Sequence, residues 1–160
     1  MTFLERTTDA RRYRAWEGNM EADYIYTSGL AGERFFVALR DEGRLLAARC
    51  AACGLDYLPP RIFCEACFAE LSDYIPVPPE GRVASFTVAH QDRTGRPVSP
   101  PQVWAFVTFT GVRGGLLHRL LSPPDGVRAG MRVRLRFRPR GSRTGTIADI
   151  EGFEPARSSK

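Results

Sequence analysis

The stretch CAACGLDYLPPRIFCEAC, residues 50–67, carries two C-x-x-C pairs, Cys50/Cys53 and Cys64/Cys67, separated by ten residues. Two residues between cysteines let both thiolates turn toward one point, and a glycine directly after, such as Gly54, permits the backbone twist that the turn needs. Two such turns facing each other place four sulfurs at the corners of a tetrahedron, so Cys50, Cys53, Cys64 and Cys67 are expected to ligate one metal ion. Zinc is the expected metal, and iron in a rubredoxin-like centre is compatible with the same four thiolates. A closed site of this kind has no open coordination position, so its expected role is to hold structure and not to activate water. A redox dithiol needs one C-x-x-C beside a βαβ unit, whereas here there are two pairs and no such unit.

Around this stretch the chain divides by texture. Residues 49–75 contain a Pro59-Pro60 break and few consecutive apolar positions, too little for a core, so a metal worth on the order of 10 kcal/mol would supply the missing stability. Residues 1–48 read as an N-terminal helical arm, with Phe35, Phe36 and Leu39 at helical spacing and Gly43 placed to end the helix before Arg44 and Leu45. Pro76-Val77-Pro78-Pro79 reads as a linker into a region, 76–156, of short strand-like runs near 81–90, 102–110, 114–121, 131–138 and 145–153. In the fourth run Met131, Val133, Leu135 and Phe137 alternate with Arg132, Arg134, Arg136 and Arg138, the period of two of a strand with one buried face. Five short strands in about 75 residues fit a small closed barrel of the OB type. The expected fold is therefore mainly β with N-terminal helices, a rubredoxin-like zinc ribbon followed by a five-stranded OB-fold barrel, and a polar tail at 157–160.

Composition is that of a globular protein. The chain has 160 residues, 43% hydrophobic and 26% charged, and no apolar run approaches the roughly 18 residues of a membrane span. The segment Met1–Arg14 has charges throughout and no apolar stretch like that of a secretory signal, so a cytoplasmic location is expected, with thiols kept reduced and available to metal. The formal charge is +5 and Lys160 is the only lysine. Arginine pairs well with phosphate or carboxylate, although a GC-rich genome produces the same bias.

Independent catalysis is not expected. Nucleophilic catalysis by cysteine needs a free cysteine with a histidine and a further proton carrier, and all four cysteines are assigned to the metal. His90 and His118 both fall in strand-like runs, where histidines are usually packed or surface residues. No nucleophile elbow, H-E-x-x-H, phosphate loop or dinucleotide fingerprint occurs. Trp104, Phe106 and Phe109 read first as buried core, whereas Tyr24 and Tyr26 lie outside both modules and suit a subunit interface.

The motifs taken together carry a resemblance. Phe35-Phe36, Gly43-Arg44-Leu45-Leu46, Cys50-x-x-Cys53-Gly54, Pro59-Pro60-Arg61, Cys64-x-x-Cys67, Gly81-Arg82-Val83 and Ser85-Phe86-Thr87-Val88, in this order, resemble the small zinc-ribbon and OB-fold proteins (domain-of-unknown-function 35 type) that accompany acyl-CoA enzymes. The resemblance covers most of the chain. It implies two N-terminal helices and a non-catalytic subunit that helps to hold a CoA thioester and stabilises a thiolase-fold catalytic partner in a hetero-oligomer. Tyr24-x-Tyr26-x-x-Gly29 followed by Gly32-Glu33-Arg34-Phe35-Phe36 is most similar to subunits paired with thiolases of aromatic or acyl-CoA breakdown, benzoylsuccinyl-CoA thiolysis among them. On this reading Arg61, Arg132 and Arg134 are candidate CoA contacts, against the plainer reading of solvated arginines, and Tyr24, Tyr26, Phe35 and Phe36 are candidate partner contacts. A nucleic-acid-binding ribbon and barrel is the alternative. It is disfavoured because the arginine-rich run carries no exposed aromatic at alternating positions and acidic residues Asp41, Glu42, Glu65 and Glu70 flank the ribbon.

Overall fold

The computed structural model describes residues 8–12 and 26–156. Helix α1 (Gly29–Val37) continues into a wider π turn, Ala38–Glu42, and closes at Gly43, whose left-handed backbone ends the helix where the sequence places its stop. The apolar spacing buries Phe35 and Leu39 on one side. Of the two N-terminal helices that the resemblance implies, α1 is one; Ala10–Arg12 form a short 3-10 turn, and residues 1–7 and 13–25, Tyr24 among them, lie outside the described residues, as does the expected polar tail at 157–160.

Strand β1 (Leu45–Arg49) begins inside the stretch expected as helical arm, because Leu45–Ala48 are buried in succession, the mark of a strand covered on both faces. It pairs antiparallel with β2 (Asp56–Leu58) and with β3 (Asp73–Val77). The expected linker is corrected here too. Pro76 and Val77 belong to β3, with Pro76 opposite Leu46, which is tolerated because β3 is the sheet's edge.

The barrel closes in the order β4 (Glu80–Gln91), β5 (Pro97–Thr108), β7 (Leu116–Leu120), β9 (Ile150–Pro155) and β8 (Arg132–Phe137), with β8 returning to β4. In β8, Val133 and Leu135 are buried while Arg132, Arg134 and Arg136 face solvent, as the alternation predicts. The last strand starts at Ile150 and not at 145, because residues 144–146 wrap their backbone N–H groups around the Asp149 carboxylate and are not free to pair. In β5 the core face carries Val103, Ala105 and Val107, and Phe109 follows them inward, whereas Trp104 and Phe106 are half-buried on the other face. Of the three aromatics expected in the core, only Phe109 is there.

Between β5 and β7 the chain makes a two-residue strand, β6 (Arg113–Gly114), which leaves the barrel and pairs parallel with β2, making the ribbon sheet four-stranded in the order β3-β1-β2-β6. Gly114 has φ +89, and a Cβ there would lie 2.2 Å from the Leu58 carbonyl oxygen, so this clasp requires glycine. Ribbon and barrel share one core. Phe35, Leu39, Leu45, Ala47, Leu58 and Val77 pack with Val83, Val107, Val133 and Phe153. A second cluster, Ala48, Cys50, Tyr57, Cys64 and Leu71, lies against the cysteines. No helix among the described residues is long and apolar enough to cross a membrane.

Candidate metal centre

The two cysteine turns are built alike. In the first, the Cys50 N–H donates to Leu55 O (2.8 Å) and the Gly54 N–H to Cys50 O (2.8 Å); in the second, the Cys64 N–H donates to Ala69 O (2.9 Å) and the Phe68 N–H to Cys64 O (3.0 Å). Each turn thus closes on its first cysteine and lifts two sulfurs toward the other turn. A bidentate pair, Arg49 to Asp56 at 2.9 Å for both contacts, pins β1 to β2 beneath the first turn.

The four Sγ atoms lie within 4.8 Å of one another, with Cys50–Cys67 and Cys53–Cys64 each at 3.5 Å. A tetrahedron with metal–sulfur bonds of about 2.3 Å has edges of about 3.8 Å. The cluster therefore fits a single four-thiolate ion, and zinc or iron bound there would tie the two turns together. Cys50 and Cys64 are buried and Cys53 and Cys67 exposed, so the ion would sit at the surface with one flank covered by protein.

Tyr57, which lies on β2 and is fully buried, brings its hydroxyl to 3.2 Å from the Cys64 sulfur. A thiolate can only accept, so the tyrosine is the donor. That hydrogen bond, opposed by burial and joined by backbone N–H groups of Cys67 and Ala66, lowers the Cys64 thiol to about 6. The same bond, with burial, raises the Tyr57 hydroxyl to about 12. Cys53 moves the other way, to about 12: the backbone at Leu55 lowers it, but the neighbouring sulfurs and burial outweigh that.

The remaining candidates are dispersed. Arg61 lies over the Tyr57 ring, 5.1 Å from its centroid, and is ion-paired with Glu65. Arg132 pairs with Glu80 at 2.7 Å, and Arg136 with Glu151 and Glu154, so part of the stripe is neutralised within β8's own neighbourhood. Arg134 is exposed on the outside of the barrel. Phe35 is 4% exposed and packs edge-on against Phe36 with centroids 5.5 Å apart. As a partner contact Phe35 is therefore corrected: its ring is used up in the chain's own core, and Phe36 is half-buried against the same core. Tyr26 stands exposed.

Sequence reading missed the apolar surface around the second turn, formed by Ile62, Phe63 and Phe68, with Leu30 of α1 also exposed. The Ile62 side chain comes within 3.8 Å of where a Cβ on Gly29 would stand, so the helix start adjoins it. Phe68 occupies the position that Gly54 holds in the first turn, with the same left-handed backbone (φ 59 against 71), and it is 78% exposed. A phenylalanine where the sister turn has glycine was the legible signal.

Two family models match the chain: the rubredoxin-like zinc ribbon domain of ChsH2 over residues 37–72 and the C-terminal OB-fold domain of ChsH2 over residues 74–138. Among solved structures, a DUF35-family protein of unknown function from Sulfolobus solfataricus is 25% identical with a TM-score of 0.65, covering 80% of this chain and 87% of its own. The Ltp2–ChsH2(DUF35) aldolase is 26% identical with a TM-score of 0.59, covering 84% of this chain and 98% of that one. A search of curated proteins finds no match.

Proposed function

This chain belongs to the DUF35 family of ChsH2-type zinc-ribbon and OB-fold proteins, and we propose that it is a non-catalytic accessory subunit of an acyl-CoA enzyme of the thiolase type. The observation that carries the proposal is the exposed aromatic surface of the second cysteine turn. Phe68 holds a backbone conformation unfavourable to any residue with a Cβ and is left largely uncovered by the described residues. Such strain is accounted for if Phe68, with Phe63, Ile62, Leu30 and Tyr26, is covered by another subunit. That a similar chain occurs in an aldolase named as an Ltp2–ChsH2 complex supports a hetero-oligomer. The partner we propose is a thiolase-fold catalytic subunit in the cytoplasm.

The metal in this reading is zinc, and it is structural: it holds the two turns and with them the docking surface. The CoA thioester is shared with the partner. Arg61, beside the aromatic surface, and Arg132 and Arg134, on the barrel, are the proposed phosphate contacts, with Arg134 the best placed of the barrel pair because Arg132 is already paired with Glu80. Degradation of aromatic acyl-CoA compounds, benzoylsuccinyl-CoA among them, is the proposed pathway class.

The test is a pull-down from the native host with the tagged chain, its metal quantified, alongside the variant Phe63→Ser/Phe68→Ser. Recovery of a thiolase-fold protein with the native chain but not with the variant, at equal zinc content, supports the proposal. Recovery of nucleic acid without any acyl-CoA enzyme overturns it.

A further inference from the structure

The barrel closes through a short seam. Strand β4 runs from Glu80 to Gln91, yet β8 pairs with it only at residues 80–82. The turn before β8 adds two bonds at Val83, whose N–H donates to Met131 O (3.0 Å) and whose carbonyl accepts from the Gly130 N–H (2.8 Å). The opposite edge of β4 is taken by β5 as far as Gln91. From Ser85 onward, no strand among the described residues pairs with the outer edge of β4, so alternate backbone N–H and C=O groups there are directed outward as a template for a further strand.

The two outer edges of the β4–β5 hairpin differ in chemistry. Proteins protect open strand edges with proline, charge or bulges. Where β5 precedes its pairing with β7, which starts at Val103, it carries Pro97, Pro100 and Pro101, none of which can donate to a neighbouring strand. Residues 84–91 of β4 hold no proline and no Asp, Glu, Lys or Arg, in a chain that is 26% charged. The register with β5 shifts between Val83 and Ser85 and again between Ala89 and Gln91, which leaves residues 85–89 as a regular stretch with the strand formers Phe86, Thr87 and Val88 at its centre. Phe86 and Val88 lie opposite Ala105 and Val103, so both are on the core face. Val88 packs against the core, but Phe86 is 39% exposed, lacking the cover that one more strand would give. Ser85 and Thr87 are exposed on the other face.

We propose that a second copy of this chain pairs along this edge, β4 against β4, antiparallel about a two-fold axis through Thr87. The occupant follows from what the edge presents. A neutral strand with apolar residues alternating on one face is what the edge needs beside it, and residues 85–89 are themselves such a strand. In this register Thr87 faces Thr87 of the other copy, Phe86 faces Val88 and Ser85 faces Ala89. Aromatic against β-branched and threonine against threonine are favourable cross-strand pairs, and Phe86 gains its missing cover. With no charge on the seam, two chains that each carry a formal +5 meet there without like charges in contact. Five paired residues a side bury less than the roughly 1,600 Å² of a standard interface, so the dimer is concentration-dependent. The inference goes beyond the accessory-subunit reading and uses no residue of the aromatic ribbon surface.

The experiment is sedimentation velocity of the full zinc-loaded chain from micromolar to millimolar concentration, with the variants Ser85→Lys/Thr87→Lys and Ser85→Glu/Thr87→Glu run alone and mixed. The expected result is a concentration-dependent shift of the native chain from monomer to dimer, with hydrogen exchange slowing at residues 85–89. Each variant alone should dimerise at least tenfold more weakly, since like charges then face each other across the seam, and an equimolar mixture of the two should recover the dimer. Both positions are exposed, so the thermal midpoint and zinc content should not change. The proposal is overturned if the native chain stays monomeric up to millimolar concentration, if the edge variants dimerise as the native chain does, or if their mixture fails to recover the dimer. A chain that is monomeric throughout, but loses its co-purified partner when the edge is charged, also overturns it and assigns the edge to that partner.

Discussion

Replacing Phe68 by glycine separates what the second cysteine turn does for its own fold from what it does for a partner. Phe68 holds φ 59 and is 78% exposed. A left-handed backbone costs a residue with a Cβ about 1 to 2 kcal/mol, which glycine removes. Glycine in turn loses about 0.5 to 1 kcal/mol more conformational entropy on folding, and little burial is forfeited because so little of the ring is covered. The sum is a stability change between none and about 1.5 kcal/mol, on the favourable side. Association should respond oppositely. A phenylalanine side chain buries up to about 200 Å², of which roughly three quarters is still open to a partner. At 25 cal/mol per Å² this comes to about 4 kcal/mol at most, and 2 kcal/mol is typical of an interface hot spot. Phe68→Gly is therefore expected to weaken partner binding by about thirtyfold or more while its thermal midpoint and metal content hold or rise. Differential scanning calorimetry of the zinc-loaded chain and surface-plasmon titration against the co-purified partner measure the two quantities. A variant that loses more than about 2 kcal/mol of stability, or binds its partner with unchanged affinity, would refute the reasoning.

Three further outcomes are expected. Tyr57→Phe keeps the buried ring but removes the hydroxyl 3.2 Å from the Cys64 sulfur; backbone donors to that sulfur remain, so metal affinity should fall by about tenfold, the low end for an outer-shell partner, as read by competition with a chromogenic chelator. Asp149→Ala removes a carboxylate that accepts from the N–H groups of Thr144 and Gly145 at 2.7 Å and of Thr146 at 3.3 Å, and should cost about 2 to 3 kcal/mol in chemical denaturation. Burial alone would raise the Asp149 pKa, but those N–H groups outweigh it and the net shift is downward. Its contribution is thus complete above the unfolded value near 3.9 and is lost as pH falls through the lower folded value, an acid-side loss that the alanine variant should lack. Gly114→Ala drives a methyl group toward the Leu58 carbonyl oxygen, 2.2 Å away from an ideal Cβ; the β2–β6 pairing should open, with hydrogen exchange rising at the Gly115 N–H, which donates to Leu58 O.

The cysteine spacing was readable because metal coordination is a local constraint: two residues between ligands and a glycine after them leave few other geometries. The Arg/apolar alternation of 131–138 was readable for the same reason, one face wet and one dry over a single strand. What escaped were features set by distant packing. Leu45–Ala48, past the helix stop at Gly43, fall within the expected arm because no local pattern announces a strand buried on both faces. Pro76 reads as a linker unless its place at a sheet edge is known. Trp104 and Phe106 have apolar neighbours on both sides, so their own strand could not say which face was the core. Phe35 and Phe36, adjacent and equally apolar, point about 100° apart round the helix, and only Phe35 is fully buried in the core.

The two-sided burial of β1 has a consequence for how the metal acts. Leu45 and Ala47 enter the core shared with the barrel, while Ala48 and Cys50 enter the cluster against the cysteines. A strand one residue thick therefore separates the ion from the barrel interior, and β2 repeats the arrangement with Tyr57 on the metal side and Leu58 on the barrel side. Because side chains alternate strictly along a strand, β1 cannot slip by one residue on loss of metal without turning both sets to the wrong face. Removing the ion should consequently not leave a free-standing barrel with a loose ribbon. The disturbance should run through Leu45, Ala47 and Leu58 into the barrel core and, through the Leu58–Gly114 clasp, into the connection between β5 and β7. An ion bound at the surface would thereby be coupled, through packing and not through register, to the barrel as well as to the turns that carry the proposed docking surface.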